Sequence, residues 1–301
     1  MARSSAGFVG SGVCRDCHAS IAESYQRHPM ANSMVRLPDE GSIEDYATAT
    51  SFSHTPHREY RVERTTEAVL HHEIGRDAAG VIYDQAVPVK YAMGSGKRGR
   101  SYIIDREGLL FMSPISWYTQ GQRWDLSPMY ATAGHLRFER RVATRCVVCH
   151  VGRAVPAPSD KDRFLEPPFV ELSIGCERCH GPGEQHVSWH RDGRGAAGPD
   201  PIINPSRLDP ARRDSVCNQC HLQGTDEVLR SGRTDFDFRP GMHLAEVWTV
   251  FLGLPDTQAT KSTVAVSQVE QMQSSQCAQA SGGRLGCISC HDPHSIPVES
   301  E

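Results

Sequence analysis

No apolar run in this 301-residue chain approaches the roughly 20 residues that a bilayer-spanning helix requires, so no transmembrane segment is expected. The opening, MARSSAGFVGSG, also lacks the apolar stretch of a secretory signal. Apolar residues make up only 38% of the chain and the mean hydropathy is −0.46, which is little material for a large core of protein alone. An excess of positive charge is missing too. The 32 Lys and Arg stand against 36 Asp and Glu, which argues against nucleic acid as a partner. The glycine-rich stretch at residues 93–100 lacks the spacing of a Walker or dinucleotide loop and reads as a turn between strands.

What the chain does have is cysteine, and in one repeated arrangement. The segment GCERCHGPGEQH, residues 175–186, contains Cys176, Cys179 and then His180. The same C-x-x-C-H pattern recurs at Cys14, Cys17 and His18; at Cys146, Cys149 and His150; at Cys217, Cys220 and His221; and at Cys287, Cys290 and His291. Two thiols three positions apart can each add to one vinyl group of a single porphyrin, and the next histidine then reaches the iron as proximal ligand. Zinc ribbons also use C-x-x-C, but they need two pairs per metal and have no use for a histidine after each. A thioredoxin-like pair would be single, and a disulfide scaffold would scatter its cysteines. The pattern therefore predicts five covalently bound haem c groups. Each brings two ionised propionates against one net positive charge on ferric porphyrin, so the formal charge of −4 falls to roughly −9 in the oxidised holoprotein. Cys277 is left over; the expectation for it is a small buried residue on a helix.

Haems would also make good the shortage of apolar side chains. The expected fold is a mostly irregular and α-helical multihaem cytochrome c with a small β-rich insert, the haems forming much of the core. Three regions are expected: an N-terminal haem segment at 1–50, a β-rich insert at 51–120, and a multihaem region at 121–301 holding sites two to five. Ile21, Tyr25 and His28 share a helical face that Pro29 would end, and residues 102–112 read as two strands around Gly108. Residues 153–168, rich in Pro and Ala, read as a linker. Helices are expected to start near Pro240 and to run over 263–280.

Ten histidines remain after the five proximal ones, enough for bis-histidine ligation throughout. Such ligation gives low-spin iron suited to electron transfer. His28 is favoured as a distal ligand over a surface or core role. His294 is tethered too closely to His291 to pass round the same porphyrin, so it would have to bind a neighbouring haem, and His186 invites the same argument relative to His180. The pairs Arg140–Arg141 and Arg212–Arg213 read as propionate partners or solvated faces.

The segments FVGSGVCRDCHASIAESYQRHPMA, YAMGSGKRGRSYIIDREGLLFMSPISWY, GCERCHGPGEQHV, INPSRLDPARRDSVCNQCHLQG, FRPGMHLAEV and CAQASGGRLGCISCHDPH resemble bacterial multihaem cytochromes of the cytochrome c554-like group, the type often joined to a tetratricopeptide-repeat region. The resemblance implies His28, His54, His186 and His294 as distal ligands, with the fifth either His135 or His243. No repeat array follows Glu301, which implies a truncated or stand-alone module. The expected function is passage of single electrons along closely spaced haems between redox partners, an electron carrier more than a catalyst. Two alternatives stand beside it. One is an oxidoreductase with one open-coordination haem acting on a small nitrogen or sulfur compound; the other is a subunit of a conducting extracellular filament, joined to its own copies through end haems. Thioether attachment at several such sites follows export in bacteria, so the chain is read as a mature or trimmed form, periplasmic or extracellular.

Overall fold

A computed structural model of the chain describes residues 7–38, 42–131, 134–158, 160–191, 198–222, 224, 226–252 and 267–296. The chain divides into two compact units, one of residues 26–174 and one that joins residues 3–25 to 175–301.

The first unit is built of strands. In chain order these are β1 (Met34–Arg36), β2 (Ser51–Thr55), β3 (Arg58–Arg64), β4 (Val69–Asp77), β5 (Gly80–Val89) and β6 (Tyr91–Met93). They continue with β7 (Gly99–Arg106), β8 (Leu109–Tyr118), β9 (Arg123–Leu126), β10 (Arg140–Arg141), β11 (Arg153–Ala157) and β12 (Asp160–Glu171). Strands β2 to β5 form an antiparallel meander. A second, eight-stranded sheet has the order β1-β6-β7-β8-β12-β11, with β9 and β10 also paired to β8. The expectation of a mostly irregular and α-helical chain was wrong: strand residues outnumber helical ones among those described. The low mean hydropathy averaged two unlike units and hid a conventional sheet core.

That core is aromatic and protein-made. Tyr60, Tyr102, Trp117 and Trp124 are fully or almost fully buried. Trp117 meets Trp124 edge to face with ring centroids 5.2 Å apart, and Tyr102 lies 5.5 Å from Trp124. Buried His71 of β4 reaches Ser113 of β8 at 2.7 Å, joining the meander to the larger sheet. The β7–β8 hairpin turns on Glu107 and Gly108, both at positive φ, as a two-residue loop between twisted strands requires. Residues 153–168, expected as a linker, instead form the β11–β12 pair: Ala154, Phe164 and Phe169 are buried, and Pro156 lies on the outermost strand, where a missing N–H donor is tolerated.

The second unit carries short helices, loops and the hairpin of β13 (Asp226–Leu229) with β14 (Trp248–Phe251). Its buried apolar side chains among the described residues are Val216, Phe238, Leu244, Val247, Trp248 and Val269. The expected helix near Pro240 is a single turn at Leu244–Glu246 that gives way to β14. The helix expected over 263–280 lies partly outside the described residues; what is described is Gln268–Ser274 and Gln276–Ala280, interrupted at Ser275. Cys277 is exposed, not buried.

Candidate haem sites

Each C-x-x-C-H segment is a turn of helix or of 3-10 helix. The histidine N–H bonds the carbonyl of the first cysteine at 2.9 Å in site one and at 3.0 Å in sites three and five. Sites two and four end the helices Thr144–His150 and Pro210–His221. Helical spacing puts positions i, i+3 and i+4 on one face, so both thiols and the imidazole of each motif address one body. The longest of these helices is started by Asp209, whose carboxylate accepts from the Arg212 N–H at 3.1 Å. No disulfide occupies any of the ten motif cysteines. Burial holds His150, His180 and His221 below the ordinary imidazole range, which keeps them neutral, the form that offers a lone pair to a metal.

Sites one, three, four and five belong to the second unit, and site two to the first. Within the second unit the four are neighbours. His18, His186 and His294 all bear electrostatically on His180. Cys179 bears on Cys217, and a hydrogen bond between the Cys217 and Cys287 thiols pushes Cys217 up while drawing Cys287 down to about 7. His291 likewise disfavours protonation of His221, whose ring is also hydrogen-bonded by Gln268.

Two histidine pairs have an unusual separation. His18 and His186 have nearly parallel rings, 17° apart, with centroids at 6.2 Å. His180 and His294 do the same at 14° and 5.8 Å. Two imidazoles bound on opposite sides of one metal at about 2 Å each have centroids about 6.3 Å apart, so each pair leaves room for one iron. The tautomers agree. Nδ1 of His180 lies 2.8 Å from the Ile203 carbonyl and Nδ1 of His186 lies 2.7 Å from an Asp200 carboxylate oxygen. Those oxygens can only accept, so each Nδ1 carries the proton and Nε2 keeps its lone pair.

The other sequence-predicted ligands are held differently. His28 precedes a 3-10 turn in the first unit, its Nδ1 accepting from the Met30 N–H at 3.1 Å, and Ser33 just beyond bonds the His150 carbonyl at 2.8 Å. His54 lies exposed on β2. Both ring nitrogens of His135 are engaged, Nδ1 by the Arg137 N–H and Nε2 by Arg58 and Tyr60 at 3.0 Å each. His243, in the second unit, donates its backbone N–H to Glu246 at 2.8 Å. Arg212 pairs with Asp209 and Arg213 with Asp214, while Arg141 lies over the Phe111 ring and Arg140 over Tyr130.

Sequence reasoning missed three groups. Glu177, inside the third motif and buried, accepts from the N–H groups of Val9, Gly10 and Gly183 at 2.7 to 2.9 Å, tying the first motif's segment to the third. Asp200 and the Ile203 carbonyl both come from one loop. A charged residue between motif cysteines was a visible signal for Glu177; nothing in the sequence marked the loop.

Residues 123–181 match the family described as cytochrome c554 and c-prime. Site two and site three both fall in that segment. The fold is similar to that of the outer cell wall cytochrome OcwA, with a TM-score of 0.50 at 15% identity, over 81% of this chain and 45% of that one. The chain thus spans under half the length of that structure. No curated protein matches the chain significantly. The motifs are those that bind haem c covalently, and the matched segment makes the chain similar over residues 123–181 to the cytochrome c554 family. Among the described residues no helix is long and apolar enough to cross a membrane.

Proposed function

We propose that this chain carries single electrons along five covalently attached haem c groups, with bis-histidine iron where a partner imidazole is at hand. The paired rings of His18 with His186 and of His180 with His294 carry the reading, because their separation suits one iron and exceeds direct stacking. In this assignment His186 completes the site-one haem and His294 the site-three haem. Each distal ligand then comes from next to a different motif, which ties one cofactor to the next. The cysteines of all five motifs form the thioethers, and His18, His150, His180, His221 and His291 are proximal ligands. His28 and His54 belong with site two in the first unit as candidates for its iron, and His243 with the second unit. Engagement of both its ring nitrogens makes His135 the weaker choice for the fifth distal ligand.

The partners proposed are redox proteins that meet an end haem, in the periplasm or outside the cell, since thioether attachment at several C-x-x-C-H sites follows export. Intact-mass measurement of the purified holoprotein tests the count: five haem masses are expected, and fewer would remove a site from the series. EPR of the oxidised protein tests the ligation. Low-spin signals throughout are expected; a strong high-spin component would shift the reading to an enzyme with an open iron.

A further inference from the structure

Asp200 stands at the outer edge of the site-one pair. One carboxylate oxygen lies 2.7 Å from Nδ1 of His186 and accepts the Ile202 N–H at 3.1 Å; the other lies 3.3 Å from Nε2 of His190. His186 and His190 share a face of the helix Glu184–Arg191 at i and i+4, and with Asp200 they make a compact group of possible metal ligands. The spacing decides against a separate ion there. Two ligand atoms on one metal with bonds of about 2.1 Å sit roughly 3 Å or more apart, so 2.7 Å is a hydrogen bond. The groups around the Asp200 carboxylate are the Ile202 N–H and the two imidazoles. An anion that accepts the proton of a metal-ligating imidazole fixes the ring's orientation and raises its basicity.

We propose that Asp200 is a positioning residue that orients His186 and makes it a stronger donor to the site-one iron, so that the site-one haem has a lower reduction potential than it would with a neutral acceptor. His180 supplies the internal contrast. Its Nδ1 donates to the uncharged Ile203 carbonyl at 2.8 Å, and Asp292 lies 3.5 Å from Nδ1 of His294 across that pair, a longer contact than the 2.7 Å Asp200 makes to His186. A more basic ligand favours ferric over ferrous iron, which gives the sign. This rests on the proposed His18–His186 ligation, and the test separates the two.

The holoprotein with His186→Ala first identifies the site-one signal as the low-spin EPR component that disappears. The same component is then followed in potentiometric titrations of Asp200→Asn and Asp200→Glu. In Asp200→Asn the ferrous-to-ferric ratio of that haem at a fixed potential should rise about tenfold, equal to about 59 mV for a one-electron couple. Asp200→Glu should restore it, and His190→Ala should leave most of the effect in place. Conversion of this haem to high spin in Asp200→Asn, repaired by Asp200→Glu, would report the same hydrogen bond acting on ring orientation and also supports the proposal. An Asp200→Asn protein with an unchanged low-spin signal and unchanged potential would overturn it while leaving the ligation intact. No loss of any low-spin component in His186→Ala would instead overturn the ligation, and the proposal with it.

Discussion

At the scale of single residues, what could be read in advance was whatever a short tether decides. His294 lies three positions past a motif histidine and His186 six, tethers too short to round one porphyrin; their rings lie nearly parallel to those of His180 and His18, which belong to other motifs. His186→Ala should therefore turn one haem high-spin, seen by resonance Raman, while mass measurement still finds every haem attached. A second residue-scale expectation lies in the sheet core, where Glu44 is buried beside Arg100 at 3.1 Å and Tyr102 at 2.8 Å. Burial raises its pKa, but the Ser42 bond, the Arg100 charge and the Tyr102 bond prevail and the net shift is downward from 4.5. A carboxyl more acidic in the folded state adds stability that is complete above its unfolded pKa and is lost as pH falls through the folded one. Glu44→Gln should cost about 1–3 kcal/mol in urea unfolding at neutral pH. The gap to wild type should close as the pH drops below about 4.5. A gap that widened in acid would contradict the sign.

Elements were legible where pattern and turn chemistry agreed and hidden where proline or averaging spoke against them. The β7–β8 hairpin was visible from its apolar runs around Gly108. The β11–β12 pair was not, because its prolines read as linker although Pro156 sits on the outer strand and Pro167 and Pro168 fall between the paired residues Phe164 and Phe169. Gly108 has φ +81, and a Cβ there would run into the Phe164 carbonyl oxygen. Gly108→Ala should then destabilise the first unit by about 2 kcal/mol or more, measured as a lower urea midpoint at unchanged slope. In the second unit the equivalent lever is Glu177. It accepts three backbone N–H groups, two of them from the segment that carries the first motif. Removing it leaves those donors without their acceptor. Glu177→Ala should raise hydrogen exchange at residues 7–17 by tenfold or more, about 1.4 kcal/mol, with smaller changes in the sheets of the first unit. Uniform exchange across both units would mean that Glu177 holds the whole fold and not this tie.

At the scale of the whole molecule, the order of motifs along the chain differs from their grouping in the fold. Sites two to five follow one another over residues 121–301, and site one stands alone near the N-terminus. In the structure the segment of site one folds into the unit that also holds sites three, four and five, while site two ends a helix of the other unit. Sequence distance is a poor guide here because a buried carboxylate and a pair of facing imidazoles bring distant segments together, and neither leaves a periodic trace. The consequence is physical and measurable. Each motif cysteine would lie at the vinyl edge of the porphyrin it holds, so the nearness of Cys217 to Cys287 would bring the edges of haems four and five together. Two ferric low-spin irons so close should couple magnetically, and reducing one should make reducing the other harder through the added electron's charge. In the fully oxidised protein the low-spin EPR intensity should therefore integrate to fewer than five independent haems, and partial reduction should bring new low-spin intensity out of the coupled pair. The paired potentials should separate in a redox titration by more than their ligand sets explain. Five independent low-spin signals at full intensity, unaffected by partial reduction, would mean that sites four and five do not communicate and that the second unit holds its haems as separate centres.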